Sequence, residues 1–284
     1  IIGGLVASSL AGCRLQVSGP AAGLVAVVAE IIQHHGIASL GPIVFLAGTL
    51  QMGFSFAQCG QWFRAISPAL IQGMLGGIGV LIIAGQAHVM IDDKPTSSGI
   101  ENLLNLPAAF VKAVFPMDGT VHHIAAMIGV MTILTILVWN VIPNKHLKAV
   151  PAPLVAVVLA GVMSYLLQLP INHVSIPDNI FASLNLNTFK NLPMLLDHGI
   201  FISALTIAIV ASTESLLTAT AVDNMASSKS GKTDYNKELF AQGAANITSG
   251  LVGGLPITGV IVRSAANVHA GAKTRLSGIL HGIL

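Results

Sequence analysis

The sequence predicts an all-α polytopic membrane protein, and three observations carry that prediction. The 284-residue chain is 54% hydrophobic and only 8% charged, against about 25% charged residues in soluble domains. Its mean hydropathy is +0.81. Apolar runs near the roughly 20 residues that a transmembrane helix needs recur along the whole length. A water-facing surface must be covered by charge, so lipid is the expected solvent for most of this one.

The elements follow in order. Residues 1–12 read as the end of a span, closed by Gly12, Cys13 and Arg14. Ile1 stands where an initiator Met would be and the last run, SGILHGIL, is itself apolar. Both ends therefore read as cuts in a longer chain. A Ser18-Gly19-Pro20 break precedes AAGLVAVVAEII, about twelve apolar residues before Gln33, His34 and His35. The runs 41–57 and 68–85 are spans. The polar interval 86–118 contains an amphipathic helix at ENLLNLPAAFVKAVF. Residues 122–142 and 153–169 are spans, separated by a short polar loop and followed by a polar interval over 170–198.

The run 199–222 is the longest span and carries a carboxylate, Glu214. Residues 238–255 form a helix rich in small residues, as expected where helix backbones approach closely. Pro256 breaks the chain, ITGVIVRSAANV (257–268) is a second short segment, and a last helix begins at Thr274. Counting both short segments as crossings puts Arg14, Arg64, Lys145, Lys148, Lys229, Lys232, Lys237, Lys273 and Arg275 on one side. Only Lys94, Lys112 and Lys190 fall on the other, and Arg263 lies within a membrane segment. The cation-rich side, with loops 143–150 and 224–237, is the cytoplasm.

The paired short segments, each opening at a proline, are the strongest signal. Twelve residues rise about 18 Å as a helix, short of a hydrocarbon core of roughly 30 Å. The rest of each crossing is then irregular backbone, which survives at membrane depth only when buried in protein or lining a wet cavity. Two helices starting at mid-membrane aim their free N–H groups and positive dipole ends at that cavity, an anion site without a fixed cation. The plainer alternative is two proline-kinked helices.

Glu214, with Thr218 four residues on, shares one helix face with it. A carboxylate at that depth faces a cavity or a partner, as a coupling-ion site for Na⁺ or H⁺ or as an anchor for exposed half-helix backbone. Arg263, two turns into the second short segment, raises the potential of the site, pairs with a carboxylate, or snorkels to the cytoplasmic side. Glu30, His34, His35, His122 and His123 read as interfacial and solvated. Cys13 and Cys59 read as small buried hydrophobes. The sequon Asn246-Ile247-Thr248 lies inside a helix and is disregarded. No basic stripe with interleaved aromatics points to nucleic acid. Neither a His–Glu zinc motif nor a Ser–His pairing sits at membrane depth, so an enzyme is not expected and no cofactor is called for.

The stretches LQVSGPAAGLVAVVAEII, STESLLTATAVDNM and DYNKELFAQGAANITSGLVGGLPITGVIVRSAANVHAGAKTRLSG resemble the sulfate permease (SulP) family of inorganic anion transporters, the last most specifically. The resemblance covers essentially the whole chain. It implies a seven-plus-seven inverted-repeat fold shared with uracil permeases, running here from the end of the second span to the start of the eleventh. Core elements would occupy about 1–60 and 199–284, gate elements about 61–198, and a STAS domain would lie outside the chain.

The resemblance also places an anion, sulfate or bicarbonate, around Ser18, Gly19, Pro20, Ala21 and Ala22 and around Thr258, Gly259 and Val260, with Arg263 bordering it. It implies a coupling-ion site at Glu214, Thr218 and Gly259, which is a Na⁺ site in bicarbonate-carrying members. Ile261 departs from that pattern, where Na⁺-coupled members carry a hydroxyl, so H⁺ coupling or exchange stays open. A homodimer in a bacterial inner membrane is the implied full-length assembly. An anion channel and a nucleobase permease on the same fold are the alternatives; the permease calls for a second carboxylate where this chain has Arg263.

Overall fold

The computed structural model describes residues 1–64, 68–96, 98–115, 120–142, 150–172, 194–195, 197–226 and 231–283. Lys145, Lys148, Lys190 and Lys229, four of the cations used to assign orientation, lie outside them. The chain divides into two compact units, residues 1–78 with 177–284 and residues 79–176.

In the first unit a π-helical turn over Gly3–Ala7 runs into α1 (Ser8–Leu10). An extended stretch then contains β1 (Ser18–Gly19), and a 3₁₀ turn over Ala22–Leu24 leads into α2 (Val25–His35). Gly36, at φ 77°, ends α2, its N–H bonding Ile32 O at 2.9 Å. The helices α3 (Leu40–Phe56) and α4 (Gly60–Arg64) follow, and α5 (Pro68–Met90) leaves for the second unit.

There the end of α5 is joined by α6 (Gly99–Leu104), α7 (Leu106–Val114), α8 (Val121–Val141) and α9 (Ala152–Leu166). The chain returns to the first unit with α10 (His198–Met225), α11 (Tyr235–Leu251), β2 (Thr258–Gly259), α12 (Ile261–His269) and α13 (Leu276–Ile283).

Among the described residues three helices are long and apolar enough to cross a membrane: Ile37–Phe56, Val121–Val141 and His198–Met225. The 28 residues of α10 span about 42 Å at 1.5 Å each, more than the hydrocarbon core requires. Asp197 caps its start, accepting from Gly199 N at 2.7 Å and Ile200 N at 3.1 Å. By contrast α2 and α12, with 11 and 9 residues, rise only about 16 and 13 Å.

The core of the first unit is built by α3, α10 and α11. Ile43 and Ala47 of α3 pack with Ile31 of α2 and with Ile200, Ala204, Ile207 and Ala208 of α10. Between α3 and α11 the contact is backbone to backbone. A Cβ on Gly48 would lie 2.6 Å from Gly243 O, and one on Gly243 would lie 2.8 Å from Gly48 O. Any side chain at either position would push the two helices apart, the small-residue packing predicted for 238–255.

Among the described residues the fold departs from a purely helical reading at one place. β1 and β2 pair antiparallel, with Ser18 opposite Gly259 and Gly19 opposite Thr258, and Val260 N extends the pairing to Val17 O at 2.9 Å. The second helix accordingly starts at Ile261, four residues after the segment predicted to be helical begins. Extended backbone buried in protein must find hydrogen-bond partners, and here the two broken crossings supply them to each other.

In the second unit, His122 and His123 are half-buried, their Nδ1 atoms 2.7 Å from Ile91 O and 3.1 Å from Ala113 O. They pin α8 to the preceding segments, a structural use beyond the predicted interfacial one. Nearby, Lys112 Nζ donates to Asp93 Oδ2 at 2.8 Å. That hydrogen bond is the main reason the Asp93 carboxyl titrates below the ordinary carboxylate range. A depressed acid contributes stability above its ordinary pKa and loses it as pH falls through the folded value. Exposed pairs of this kind are worth about 1 kcal/mol or less, so the expected result is local. Lys112→Ala should return the Asp93 titration toward the ordinary value, followed by carboxyl-carbon NMR; an unmoved titration would assign the shift to another group.

Candidate functional site

The site is assembled by α10 beneath the β1–β2 crossing. Ser18, Gly19, Thr258 and Gly259 are all buried there, and two hydroxyls of α10 hold the crossing in place. Gly259 N donates to Ser215 Oγ at 3.0 Å, and Ser215 Oγ lies 2.9 Å from Thr258 Oγ1. Thr258 Oγ1 in turn donates to Ala211 O at 3.1 Å. Because Thr258 spends its proton on that carbonyl, Ser215 is the donor in the hydroxyl pair. One turn on, Thr218 Oγ1 donates to Gly259 O at 3.1 Å. The backbone of β2 is therefore gripped on both sides of Gly259 by one face of α10.

Glu214 stands on the same helix. It is 7% exposed, and its Oε2 accepts no hydrogen bond among the described residues. Its Oε1 sits against Gly23, where a Cβ would collide with it. Anchoring of the crossing is thus done by Ser215 and Thr218, and the Glu214 carboxylate is left over. Buried charge without partners is costly, so its retention needs a reason other than packing.

The other predicted residues fall around this centre. Val260 precedes α12, and that helix's own ladder begins with Ser264 N bonding Val260 O at 2.9 Å. The N–H groups of Ile261, Val262 and Arg263 come before it, at the positive end of the helix dipole. Ala22 opens the 3₁₀ turn that leads into α2. Pro20 and Ala21 line an apolar cleft of about 260 Å³ with Leu24, Val25, Leu255 and Pro256. Arg263 is exposed, and its guanidinium lies 3.1 Å from where a Cβ on Gly19 would be. Among the described residues no carboxylate pairs with it. The guanidinium thus lies beside Gly19 at the edge of the crossing.

Farther out, Glu30 and His34 are exposed. His35 is half-buried, its Nε2 3.5 Å from Ser203 Oγ. Cys13 is buried and Cys59 half-buried. Among the described residues no group of three or more His, Cys, Asp or Glu side chains is placed to hold a metal ion.

Sequence reasoning missed a second polar layer on the far side of the crossing. Glu238, Gln242 and Asn246 recur every fourth residue on α11 and all three are fully buried. Asn246 treats Ile257 as a strand partner would, accepting from its N–H at 2.6 Å and donating to its carbonyl at 2.8 Å. Its amide also reaches Gln51 Oε1 at 2.7 Å, and Gln51 Nε2 reaches Ser212 Oγ at 3.2 Å. The signal was present as a Glu-Gln-Asn stripe at i, i+4, i+8 in an otherwise small-residue helix.

Known proteins give this geometry a context. The whole chain, residues 1–284, matches the Sulfate permease family. YvdB of Bacillus subtilis (strain 168) is 30% identical over 296 residues, which take in 100% of this chain and 52% of that protein. The bicarbonate transporter BicA of Synechocystis sp. is 25% identical over 293 residues, 100% of this chain and 49% of that protein. The chain thus spans about half the length of the curated relatives it matches.

Among solved structures, the transmembrane domain of a cyanobacterial BicA superposes with a TM-score of 0.77 at 24% identity, covering 99% of this chain and 71% of that one. SLC26A9 gives 0.76 at 18% identity, covering 99% and 47%. The fold is that of these seven-plus-seven inverted-repeat transmembrane domains, and the protein is an integral membrane protein. By the match along its full length, the chain belongs to the sulfate permease family.

Proposed function

We propose that this chain forms the transport region of a secondary carrier that moves a small inorganic oxyanion, sulfate or bicarbonate, by alternating access coupled to Na⁺ or H⁺. The observation that carries the reading is the meeting of two half-helix starts over a buried carboxylate whose Oε2 has no partner among the described residues. Free N–H groups at a helix start bind anions through their dipole without a fixed buried cation. Arg263, at the edge of the crossing, draws an anion in and adds little selectivity of its own. Glu214, one turn from the Thr218 that holds Gly259, supplies the negative charge on which a coupling cation is carried as co-substrate. The family's description supports sulfate and the similarity to BicA supports bicarbonate. Core elements at about 1–60 and 199–284 would move relative to gate elements at about 61–198. The setting would be a bacterial inner membrane and the full-length assembly a homodimer.

Full-length parent protein in proteoliposomes tests this directly. Labelled sulfate and bicarbonate uptake is followed with and without inward Na⁺ and H⁺ gradients. Accumulation above equilibrium under one gradient is the expected result and names the coupling ion. Na⁺-driven uptake would show that Ile261 is compatible with a Na⁺ site. Equilibration without accumulation would favour the channel alternative, and silence towards both anions would overturn the assignment.

A further inference from the structure

Behind the crossing lies a buried carboxylate that the proposed transport cycle does not use. Glu238 is fully buried. Its Oε2 accepts from Cys13 N at 2.9 Å, and its Oε1 accepts from Gln16 Nε2 at 2.9 Å and Gln242 Nε2 at 2.8 Å. In this arrangement both carboxylate oxygens act as acceptors. Gln242 has two amide protons on Nε2, and the second goes to Ser18 Oγ at 2.7 Å. The other amide on this carboxylate, that of Gln16, packs against Gly259, a Cβ there lying 2.7 Å from Gln16 Cδ. Glu238 therefore touches both strands of the crossing through one glutamine each.

The chemistry of these groups fixes a direction. An acceptor-only carboxylate makes Gln242 turn its NH₂ inward, and that orientation forces Ser18 Oγ to accept from the same nitrogen. The hydroxyl proton of Ser18 is then left to donate, and it makes no bond to any described residue. Ser18 is itself buried, in β1, directly opposite Gly259. A buried O–H without an acceptor is costly, and an oxyanion in the crossing is an acceptor.

We propose that Glu238 and Gln242 are positioning residues that orient the Ser18 hydroxyl as a hydrogen-bond donor to the bound oxyanion. The proposal rests on the anion-site reading and adds to it a specific donor and the pair of side chains that aim it. The glutamine matters through the direction in which it presents its amide. Were position 242 acidic, its carboxylate would take the Ser18 proton; were it apolar, no donor at this position would fix the direction of the hydroxyl.

The test uses full-length parent protein in proteoliposomes, with KM and Vmax for sulfate and bicarbonate uptake. Ser18→Ala should raise KM about 10-fold, the scale for a hydrogen bond to a charged group, with Vmax within about twofold of the parent. Gln242→Leu should do the same, and the double variant should be no worse than either single one, since both remove the same donor. Ser18→Thr keeps a hydroxyl and should restore KM to within about threefold of the parent.

Thermal melting of each variant without anion reports folding. Ser18→Ala, the smallest deletion, decides the matter if Gln242→Leu melts early. Unchanged KM in Ser18→Ala, additive losses in the double variant, or losses in Vmax alone would each overturn the relay while leaving transport by the parent intact. A parent silent towards both anions would instead overturn the transport reading, and the relay with it.

Discussion

Gly23→Ala should leave the protein folded and remove most of its transport. The added Cβ falls on Glu214 Oε1, and that oxygen is the far end of a flexible side chain, so the clash is relieved by swinging the carboxylate aside. The backbone of the 3₁₀ turn and of α10 need not move. What is lost is the placement of the charge beside the crossing, and misplacing a functional group by about 1 Å costs on the order of 100-fold in enzymes. Uptake by full-length Gly23→Ala protein should fall by a similar factor, with a melting temperature close to that of the parent. Normal gradient-driven uptake by this variant would show that the position of Glu214 is immaterial. A large fall in melting temperature would show that the turn itself had been broken.

Glu214→Gln separates the two roles open to this residue, because they predict different stabilities. If the carboxylate were an anchor, its replacement would lower stability. Among the described residues nothing donates to Oε2, while Ser215 and Thr218 carry the anchoring bonds. A neutral isostere avoids the cost of burying an unpaired charge, so the variant should be at least as stable as the parent. Coupled transport should fail at the same time, with accumulation reduced at least about 10-fold and no longer responsive to Na⁺ or H⁺ gradients, on the usual trade between stability and function. Melting curves and gradient-driven uptake on the same preparation give both readings. A destabilised variant that still couples would reverse the assignment.

Much of this was legible in the sequence because lipid imposes strong rules. Low charge, span lengths and the two proline breaks point to the membrane class and the half-helices from the sequence alone. A carboxylate in the longest span marked Glu214 for the same reason. The spacing of Glu214 and Thr218 showed a shared face, but periodicity carries no information on what that face meets. The strand pair at 18–19 and 258–259 was not legible, since two residues leave no pattern and their partners are distant in the chain. Glu238 was passed over because it follows the polar loop 224–237 and reads as the solvated first turn of a helix. Only the fold shows that this turn is buried against Gly12 and Cys13.

The strand pair also bears on how the molecule comes into being. Val17 and Ser264, joined at 2.9 Å beside the crossing, lie 247 positions apart, and Cys13 and Glu238 lie 225 apart. Contacts this distant in sequence form late, because the intervening chain must be ordered before they repay their loop closure. During synthesis α2 enters the bilayer with its polar approach, Gln16 to Ser18, facing no partner until α11 and α12 have been made. Until those helices are made, this stretch lacks the partners it has in the folded protein. A chain arrested before residue 238 lacks the side chains that close the crossing.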